Sequence, residues 1–218
     1  MPDKKLMNPS RRNLLLAGLA LAAGPAFAAP LLTPRQSTGP FYPPEPPLDD
    51  DNDLTRVKGR INPAKGEIAD LTGRILDSHG HPIKEARIEI WQCDANGRYI
   101  HPGDKGGKPR DPGFQGFGAA TSDAEGRYRF RTIKPVPYPG RTPHIHIAVY
   151  TWAHEPFVTQ MYIAGHPLNR KDFLFNRIPN KQQPLVEAKF IESSRNGIQY
   201  TSNFDIILAG SEGTPSVS

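Results

Sequence analysis

The sequence has a single cysteine, Cys93, among its 218 residues. One cysteine cannot form a disulfide within the chain, and a zinc site built from cysteine pairs is excluded as well. We therefore expect Cys93 to be a small buried apolar residue. Long hydrophobic runs are also scarce, and the apolar run at residues 14–23 is too short to span a bilayer comfortably.

The net positive charge of the chain is also small once the first 28 residues are set aside. The formal net charge is +5, but that segment holds Lys4, Lys5, Arg11 and Arg12 against Asp3. The remainder has 23 positive and 21 negative side chains, and it lacks a Lys/Arg stripe with interleaved aromatic residues. We therefore expect no nucleic-acid partner.

The first 28 residues have the pattern of a leader. Arg11 and Arg12 precede the apolar run at 14–23, and residues 26–28 (AFA) give a small-x-small cleavage pattern. The pattern predicts a twin-arginine signal peptide at 1–28, with an ordinary secretory signal or an uncleaved anchor as the alternatives. Because the twin-arginine route exports folded proteins, it suits one that takes up a cofactor first. We expect a periplasmic or extracellular protein that meets the membrane only transiently, during export.

Proline and glycine are abundant, at 24 and 20 residues, without a collagen-like period. This composition favours many turns between short strands and argues against a helical bundle. We predict an all-β fold, an antiparallel β-sandwich at 67–210 with long Pro/Gly-rich loops, and a disordered tail at 211–218. Residues 29–66 read as an extended N-terminal arm, either a disordered linker or a segment that packs on the body or on a neighbouring subunit.

Period-two alternation of apolar residues locates the strands. The predicted strands are 68–76, 86–92, 98–100, 127–133, 144–151, 157–163 and 203–208, with a Gly/Pro loop before residue 118 and a helix at 185–192.

The residues with the clearest chemistry are His144 and His146. Residues two apart in a strand point to the same face, so the two imidazoles can chelate one metal ion, although plain structural histidines are an equal alternative. Two histidines leave a metal under-coordinated. Tyr99 and Tyr138, each on a turn beside a strand end, are candidates for the missing ligands, or else they merely pack. A phenol ligates only a cation acidic enough to remove its proton, which favours iron(III).

Three other residues receive simpler interpretations. His79 and His81 also form an H-x-H pattern, but they lie in a Gly/Pro turn where strand alternation fails, so we expect them to be solvated. Trp91 is expected in the core rather than at a substrate platform.

Several long stretches of the chain resemble the intradiol ring-cleavage dioxygenases, which are non-haem iron(III) enzymes that open catechols. The resemblance is greatest to the catalytic (beta) chain of the protocatechuate 3,4-dioxygenase branch. The matching stretches occur in the family's order and span most of the mature chain: 33–43 (TPRQSTGPFYP), 73–99, 121–139, 141–146 (RTPHIH) and 157–165 (FVTQMYIAG).

The resemblance implies one Fe(III) per chain and a role for each matching position. The implied iron ligands are Tyr99, Tyr138, His144 and His146. It also implies that Arg141 lies over the substrate ring and that Gln160 lies behind the ligands, which makes Tyr138, Arg141 and Gln160 the catalytic set. The implied reaction cleaves a small aromatic diol of the protocatechuate, catechol or hydroxyquinol class with O2 to a muconate-type diacid. In it Tyr138 is the tyrosine that leaves when substrate arrives.

One departure from the family concerns the loop between Tyr138 and Arg141. Only Pro139 and Gly140 intervene, whereas the protocatechuate enzymes have a longer loop that carries a tryptophan. The deletion puts protocatechuate itself in doubt as the substrate. It also weakens the inference that a second, non-identical chain is needed, which leaves a homo-oligomer open.

Two other classes compete with the dioxygenase. A secreted, non-catalytic β-sandwich binding module shares the strand pattern of residues 73–91, but it has no need for paired histidines after two turn tyrosines. A cupin-like metal enzyme shares the H-x-H pattern but requires a carboxylate and a later histidine, and His154 or His166 fits poorly.

Overall fold

A computed structural model describes residues 31–45, 47, 49–151 and 155–210. The predicted signal peptide at 1–28, the predicted tail at 211–218 and His154 lie outside the described residues. The strands, β1 to β10, are Ile68–Leu76, Arg87–Trp91, Phe117–Thr121, Arg127–Ile133, His144–Tyr150, Phe157–Ile163, Glu187–Ala188, Ile191–Glu192, Tyr200–Asn203 and Ile206–Ile207. Three short 3-10 helices cover Pro167–Lys171, Phe175–Arg177 and Gln183–Val186. Among the described residues, no helix is both long enough and apolar enough to cross a membrane.

The first sheet is built around β1. Along one edge β1 pairs antiparallel with β4, from Ile68 opposite Ile133 to Arg74 opposite Arg127. Along the other edge it pairs parallel with β9 and, at its end, with β10. Strand β8 completes this sheet beside β9.

The second sheet carries the histidines and has the strand order β3-β2-β5-β6-β7. Its central strand β5 is buried from His144 to Val149. A central strand buried on both faces is held by ladder hydrogen bonds at both edges, so its side chains have little freedom. This makes β5 a rigid support for a site.

The core lies between the two sheets. Leu71 and Phe130 of the first sheet belong to the same buried cluster as Ile90, Ile145 and Ile147 of the second. Burial of each such side chain contributes about 1.5–3 kcal/mol. The packed sheets confirm the predicted all-β sandwich.

The sheets are mixed rather than purely antiparallel. Strands β9 and β10 run parallel to β1, and β7 runs parallel to β6. Alternation along one strand carries no information on the direction of its neighbour, so the sequence pattern could not reveal these pairings.

The prediction of strands was right for β1, β2, β4, β5 and β6, with differences of one or two residues at the ends. The predicted strand at 98–100 was wrong, because that segment follows the turn at Asp94 and pairs with none of the described strands. Strand β3 was missed, since FGAAT has little β propensity and is held by its pairing with β2. The predicted strand at 203–208 is divided between β9 and β10.

The helix predicted at 185–192 was also wrong. Its first residues end the 3-10 helix Gln183–Val186, and four of the others form β7 and β8. Strand β7 adds to the edge of β6, with Glu187 opposite Tyr162. Tertiary pairing therefore overrides the local helical pattern.

The described residues of the arm pack on the sandwich. No strand or helix lies within the described residues that precede Ile68. The Thr33 amide donates to the Ile207 carbonyl at 3.0 Å, and the Gln36 amide donates to the Val158 carbonyl at 2.8 Å. These contacts bring residues 36–42 to the face of the second sheet on which the histidines lie.

Candidate active site

Strand β5 places the His144 and His146 side chains on one face of the second sheet. Both residues are 1% exposed, and their Nε2 atoms lie 3.1 Å apart. Ile145 and Ile147 point to the opposite face and pack in the core. The two imidazoles therefore meet as the alternation predicts.

The hydrogen bonds of His144 decide its tautomer. Its Nδ1 lies 2.7 Å from the Thr142 carbonyl oxygen, which can only accept, so Nδ1 is the donor. Nε2 is then the unprotonated nitrogen and faces His146 Nε2 with its lone pair. Two imidazole nitrogens directed at each other in a buried site suit a shared cation.

Tyr99 and Tyr138 converge on this histidine pair. The Tyr99 hydroxyl lies 3.4 Å from His144 Nε2, and the Tyr99 ring is edge-on to the Tyr138 ring at 5.4 Å. The Tyr138 ring centroid is 5.5 Å from that of His144. Tyr99 is 1% exposed, whereas Tyr138 is only partly buried. The structure therefore brings all four proposed ligands together.

Burial sets the protonation states of these groups. It lowers the pKa of His144 to about 3 and that of His146 well below its usual value, with a further lowering of the His146 pKa by the neighbouring His144. It raises the pKa of both phenols, although the positive charge of Arg141 opposes the rise at Tyr138. The site thus offers two neutral imidazoles and two phenols that only an acidic cation can deprotonate.

The donor set fits a hard, highly charged cation. Imidazole nitrogen and phenolate oxygen suit such an ion, while among the described residues the centre has no carboxylate ligand and no thiolate pair. Cys93, buried as expected, hydrogen-bonds the Val136 carbonyl.

The Nδ1 side of His146 is held by ring packing instead of a hydrogen bond. Its Nδ1 finds no hydrogen-bond partner among the described residues. Trp91, opposite His146 on β2, stacks on its imidazole. On another side Gly39 comes so close that a Cβ there would lie 3.1 Å from His146 Cε1. Trp91 is fully buried, as predicted, but it packs on a candidate metal ligand.

Arg141 and Gln160 lie beside the histidines. The Arg141 guanidinium donates through Nη2 to Gln160 Oε1 at 2.6 Å and through Nε to Asp172 Oδ2 at 2.8 Å. Gln160 lies opposite His146 on β6. The sequence indicated both residues separately, and the structure adds the hydrogen bond between them.

The short loop before Arg141 is a tight turn. The Arg141 amide donates to the Tyr138 carbonyl at 2.9 Å, and Gly140 adopts a φ of 83°, which glycine reaches without strain. A cavity of about 190 Å³ opens beside this turn. It is lined by Pro137, Tyr138, Gly140, Arg141, Thr142, Leu168, Lys171 and Asp172.

The arm closes the other side of the tyrosine pair. Phe41 stacks on Tyr99 with 4.9 Å between ring centroids and contacts the edge of Tyr138 at 6.3 Å. Sequence reasoning missed Phe41, Gly39 and Asp172 as parts of the site. The stretch that holds Gly39 and Phe41 was noted for its prolines and for its match to the family, with no role given to either residue. No local signal separates Asp172, which is buried, from exposed loop aspartates.

The second H-x-H pattern lies on the β1–β2 turn, outside this site. His79 and His81 are exposed, as expected, and both imidazoles face the Asp77 carboxylate, at 3.9 and 3.1 Å. Asp77 is the third member of this exposed cluster.

Comparison with known proteins gives the family of this fold and site. The family described as "Dioxygenase" matches residues 37–210, which is most of the chain. The chain belongs to the intradiol ring-cleavage dioxygenase family and is an enzyme of that class, an oxidoreductase. Membership of this family excludes the two alternative classes, the non-catalytic binding module and the cupin-like enzyme.

Two curated relatives and one solved structure illustrate the match. The chain is 37% identical to the protocatechuate 3,4-dioxygenase beta chain of Burkholderia cepacia over 83% of this chain and 81% of that one. It is 31% identical to the hydroxyquinol 1,2-dioxygenase of Corynebacterium glutamicum (78% of this chain), but spans only 62% of that relative. The dioxygenase domain of a carbohydrate-binding fusion protein from Streptomyces sp. SirexAA-E superposes with a TM-score of 0.62 at 26% identity, covering 82% of this chain and 98% of that one.

Proposed function

We propose that the chain binds one iron(III) ion and cleaves a catechol-type diol between its two hydroxylated carbons. The substrate belongs to the protocatechuate, catechol or hydroxyquinol class, and both atoms of O2 enter the muconate-type product. The proposed iron ligands are Tyr99, Tyr138, His144 and His146. The observation that carries the proposal is the 3.1 Å approach of two buried imidazole nitrogens with a phenol at 3.4 Å.

Bound iron(III) would supply Lewis acidity, which keeps the tyrosines ionised and makes the hydroxyls of a catechol more acidic. Tyr138 accepts a proton from one catechol hydroxyl at its phenolate oxygen. It is better placed than Tyr99, because it lies on a short turn beside the cavity and is only partly buried. Tyr99 stays in place under the Phe41 ring.

Arg141 contributes a fixed positive charge at the cavity wall. Guanidinium is charged at every pH the protein meets, so it stabilises negative charge that develops on the substrate ring and its oxygens. Gln160 holds Arg141 Nη2 and keeps the charge next to the histidines. Dense packing of Trp91 and Phe41 excludes water from the ligand side.

The leader supports a location outside the cytoplasm. Residues 1–28 carry the twin arginine, the apolar run and the small-x-small pattern. Under this proposal the chain folds and takes up iron before export by the twin-arginine route, and it acts on aromatic diols in the periplasm or medium.

Colour and metal content test the proposed function. The purified protein should contain one iron per chain and show the broad visible absorption of tyrosinate–iron(III), and it should consume O2 with a panel of catechols. His144→Ala and His146→Ala should each lose most of the iron and the colour, while Ile145→Val, whose side chain faces the core, keeps both. A colourless wild-type protein with stoichiometric zinc would overturn the proposal.

A further inference from the structure

Arg141 can act on a substrate only if its long side chain is held in one orientation. Two buried groups hold it: Asp172 Oδ2 accepts from Nε at 2.8 Å, and Gln160 Oε1 accepts from Nη2 at 2.6 Å. Asp172 is 1% exposed and Gln160 is completely buried. A planar guanidinium bonded at two of its nitrogens by two different residues cannot rotate about its last bonds.

The Asp172 carboxylate is itself immobile. Its Oδ2 also accepts from the Thr142 amide at 2.9 Å, and its Oδ1 accepts from the Leu174 and Phe175 amides, each at 3.0 Å. With four donors on two oxygens, the carboxylate is held by the backbone on both sides. It thereby ties Arg141 both to the start of β5 and to the segment between two 3-10 helices.

The orientation of Gln160 is also determined by its neighbours. Its Nε2 donates to the Ser37 carbonyl of the arm at 3.1 Å, and a carbonyl can only accept. This bond directs the amide oxygen, not the amide nitrogen, towards Arg141. Gln160 is neutral, however, so among the described residues it is Asp172 that supplies the anion paired with the buried guanidinium.

We propose that Asp172 is a positioning residue that fixes the Arg141 guanidinium at the cavity wall, where it meets the substrate ring. This inference rests on the proposed function, because it requires Arg141 to act on a bound catechol; Asp172 itself does not contact the iron site. Asp172 acts through Arg141 alone. The segment 172–175 thus takes part in the reaction although it supplies no ligand.

A double-mutant cycle in the iron-loaded enzyme tests this inference. Asp172→Asn should retain iron and visible absorption but lower kcat/KM by about 10- to 100-fold, the usual effect of removing a group that orients a catalytic one. Arg141→Ala should lower it at least as much. Because Asp172 acts through Arg141, adding Asp172→Asn to Arg141→Ala should cause no further loss.

Asp111→Asn is the matched control. Asp111 is also buried and accepts backbone amides, those of Lys65 and Gly113, but it is not part of the site. The Asp111→Asn variant should have a lower free energy of unfolding than the wild-type protein but the same kcat/KM. Equal losses from Asp172→Asn in the wild-type and Arg141→Ala backgrounds would overturn the inference, and so would full activity of Asp172→Asn.

A second variant covers the case in which Asp172→Asn does not fold. Asp172→Glu keeps the charge but moves the carboxylate by one methylene, so it should displace Arg141 and lower kcat/KM, again with no added loss in the Arg141→Ala background. Wild-type activity of Asp172→Glu, or an added loss in that background, would contradict the inference.

A readout independent of activity separates this inference from the proposed function. In protein loaded with diamagnetic gallium(III), the Arg141 Nε–H should give a slowly exchanging NMR signal that Asp172→Asn abolishes. The absence of that signal in the wild-type protein contradicts the inference. If the signal is present but the wild-type protein cleaves no catechol, then the proposed function is wrong and the contact with Asp172 is structural only.

Discussion

The indole ring of Trp91 lies parallel to the imidazole of His146, with 8° between the ring planes and 4.9 Å between the centroids. The stack takes the place of the hydrogen bond that His144 has through Nδ1. The two proposed iron ligands on β5 are therefore oriented by different interactions. A hydrogen bond to a backbone carbonyl orients His144, and stacking on an indole ring orients His146.

Loss of the stack should weaken metal retention. Trp91→Leu leaves the His146 ring free to tilt, so we expect iron affinity to fall by about 10- to 100-fold. Iron loss to a chelator, followed by visible absorption, measures the effect. Trp91→Phe keeps an aromatic face and should lose iron more slowly than Trp91→Leu; equal rates in Trp91→Leu and wild type would contradict the prediction.

The two tyrosines should respond differently to loss of the hydroxyl. Tyr138→Phe should keep iron, with an altered absorption band, but turn over about 10²–10⁴ times more slowly, because a positioned base has been removed. Tyr99→Phe should instead weaken iron binding, since the Tyr99 hydroxyl lies next to His144 Nε2. Iron content and single-turnover rates distinguish the two. Normal turnover of Tyr138→Phe would exclude its role as the proton acceptor.

Lys171 should influence the choice of substrate. It is the exposed cation among the residues that line the cavity beside Arg141. Lys171→Met should lower kcat/KM for protocatechuate, which carries a carboxylate, by about two- to fivefold relative to unsubstituted catechol, the size expected for an exposed charge pair. Lys189→Met, an exposed lysine that is not part of the cavity lining, serves as the control. If Lys171→Met leaves the ratio of kcat/KM for protocatechuate to kcat/KM for catechol unchanged, Lys171 does not contact the carboxylate substituent.

Acid should remove the stability that Asp172 contributes. Burial alone would raise the pKa of this carboxyl, but its hydrogen bonds and the Arg141 charge outweigh burial and lower it. A carboxyl with a lower pKa in the folded state stabilises fully above its unfolded pKa, near 3.9, and loses that effect as pH falls through the folded pKa.

The wild-type protein should therefore exceed Asp172→Asn in free energy of unfolding by about 3–5 kcal/mol at pH 7. The difference should shrink below about pH 4. Urea unfolding at pH 7, 5, 4 and 3 measures it. A constant difference across this range would show that the Asp172 charge does not contribute.

Export should depend on the twin arginine. Arg11 and Arg12 are the feature that separates this leader from a general secretory one. Changing both to lysine should leave precursor in the cytoplasm, as fractionation and immunoblotting would show, while Lys4→Arg with Lys5→Arg should export normally. Unchanged delivery of the double lysine variant would refute the assignment.

Local sequence was sufficient for much of the fold and for the paired histidines of the candidate site. Alternation along β1, β4, β5 and β6 follows from the two-residue period of a strand, which each segment carries in itself. The same period placed His144 and His146 on one face. Residue chemistry made Tyr99 and Tyr138 candidates, and the resemblance to the family favoured them as ligands and added Arg141 and Gln160.

Tertiary structure alone decided what surrounds those residues. Trp91 meets His146 because β2 pairs with β5 in one register, and a shift of one residue would turn Trp91 to the other face. Asp172 meets Arg141 across 31 residues of chain, and the arm reaches Gln160 across 123. Such contacts depend on strand partners, parallel edges and loop paths, which period-two patterns do not encode. Local periodicity thus determined which residues of β5 face the site, and long-range packing determined what meets them there and how firmly each is held.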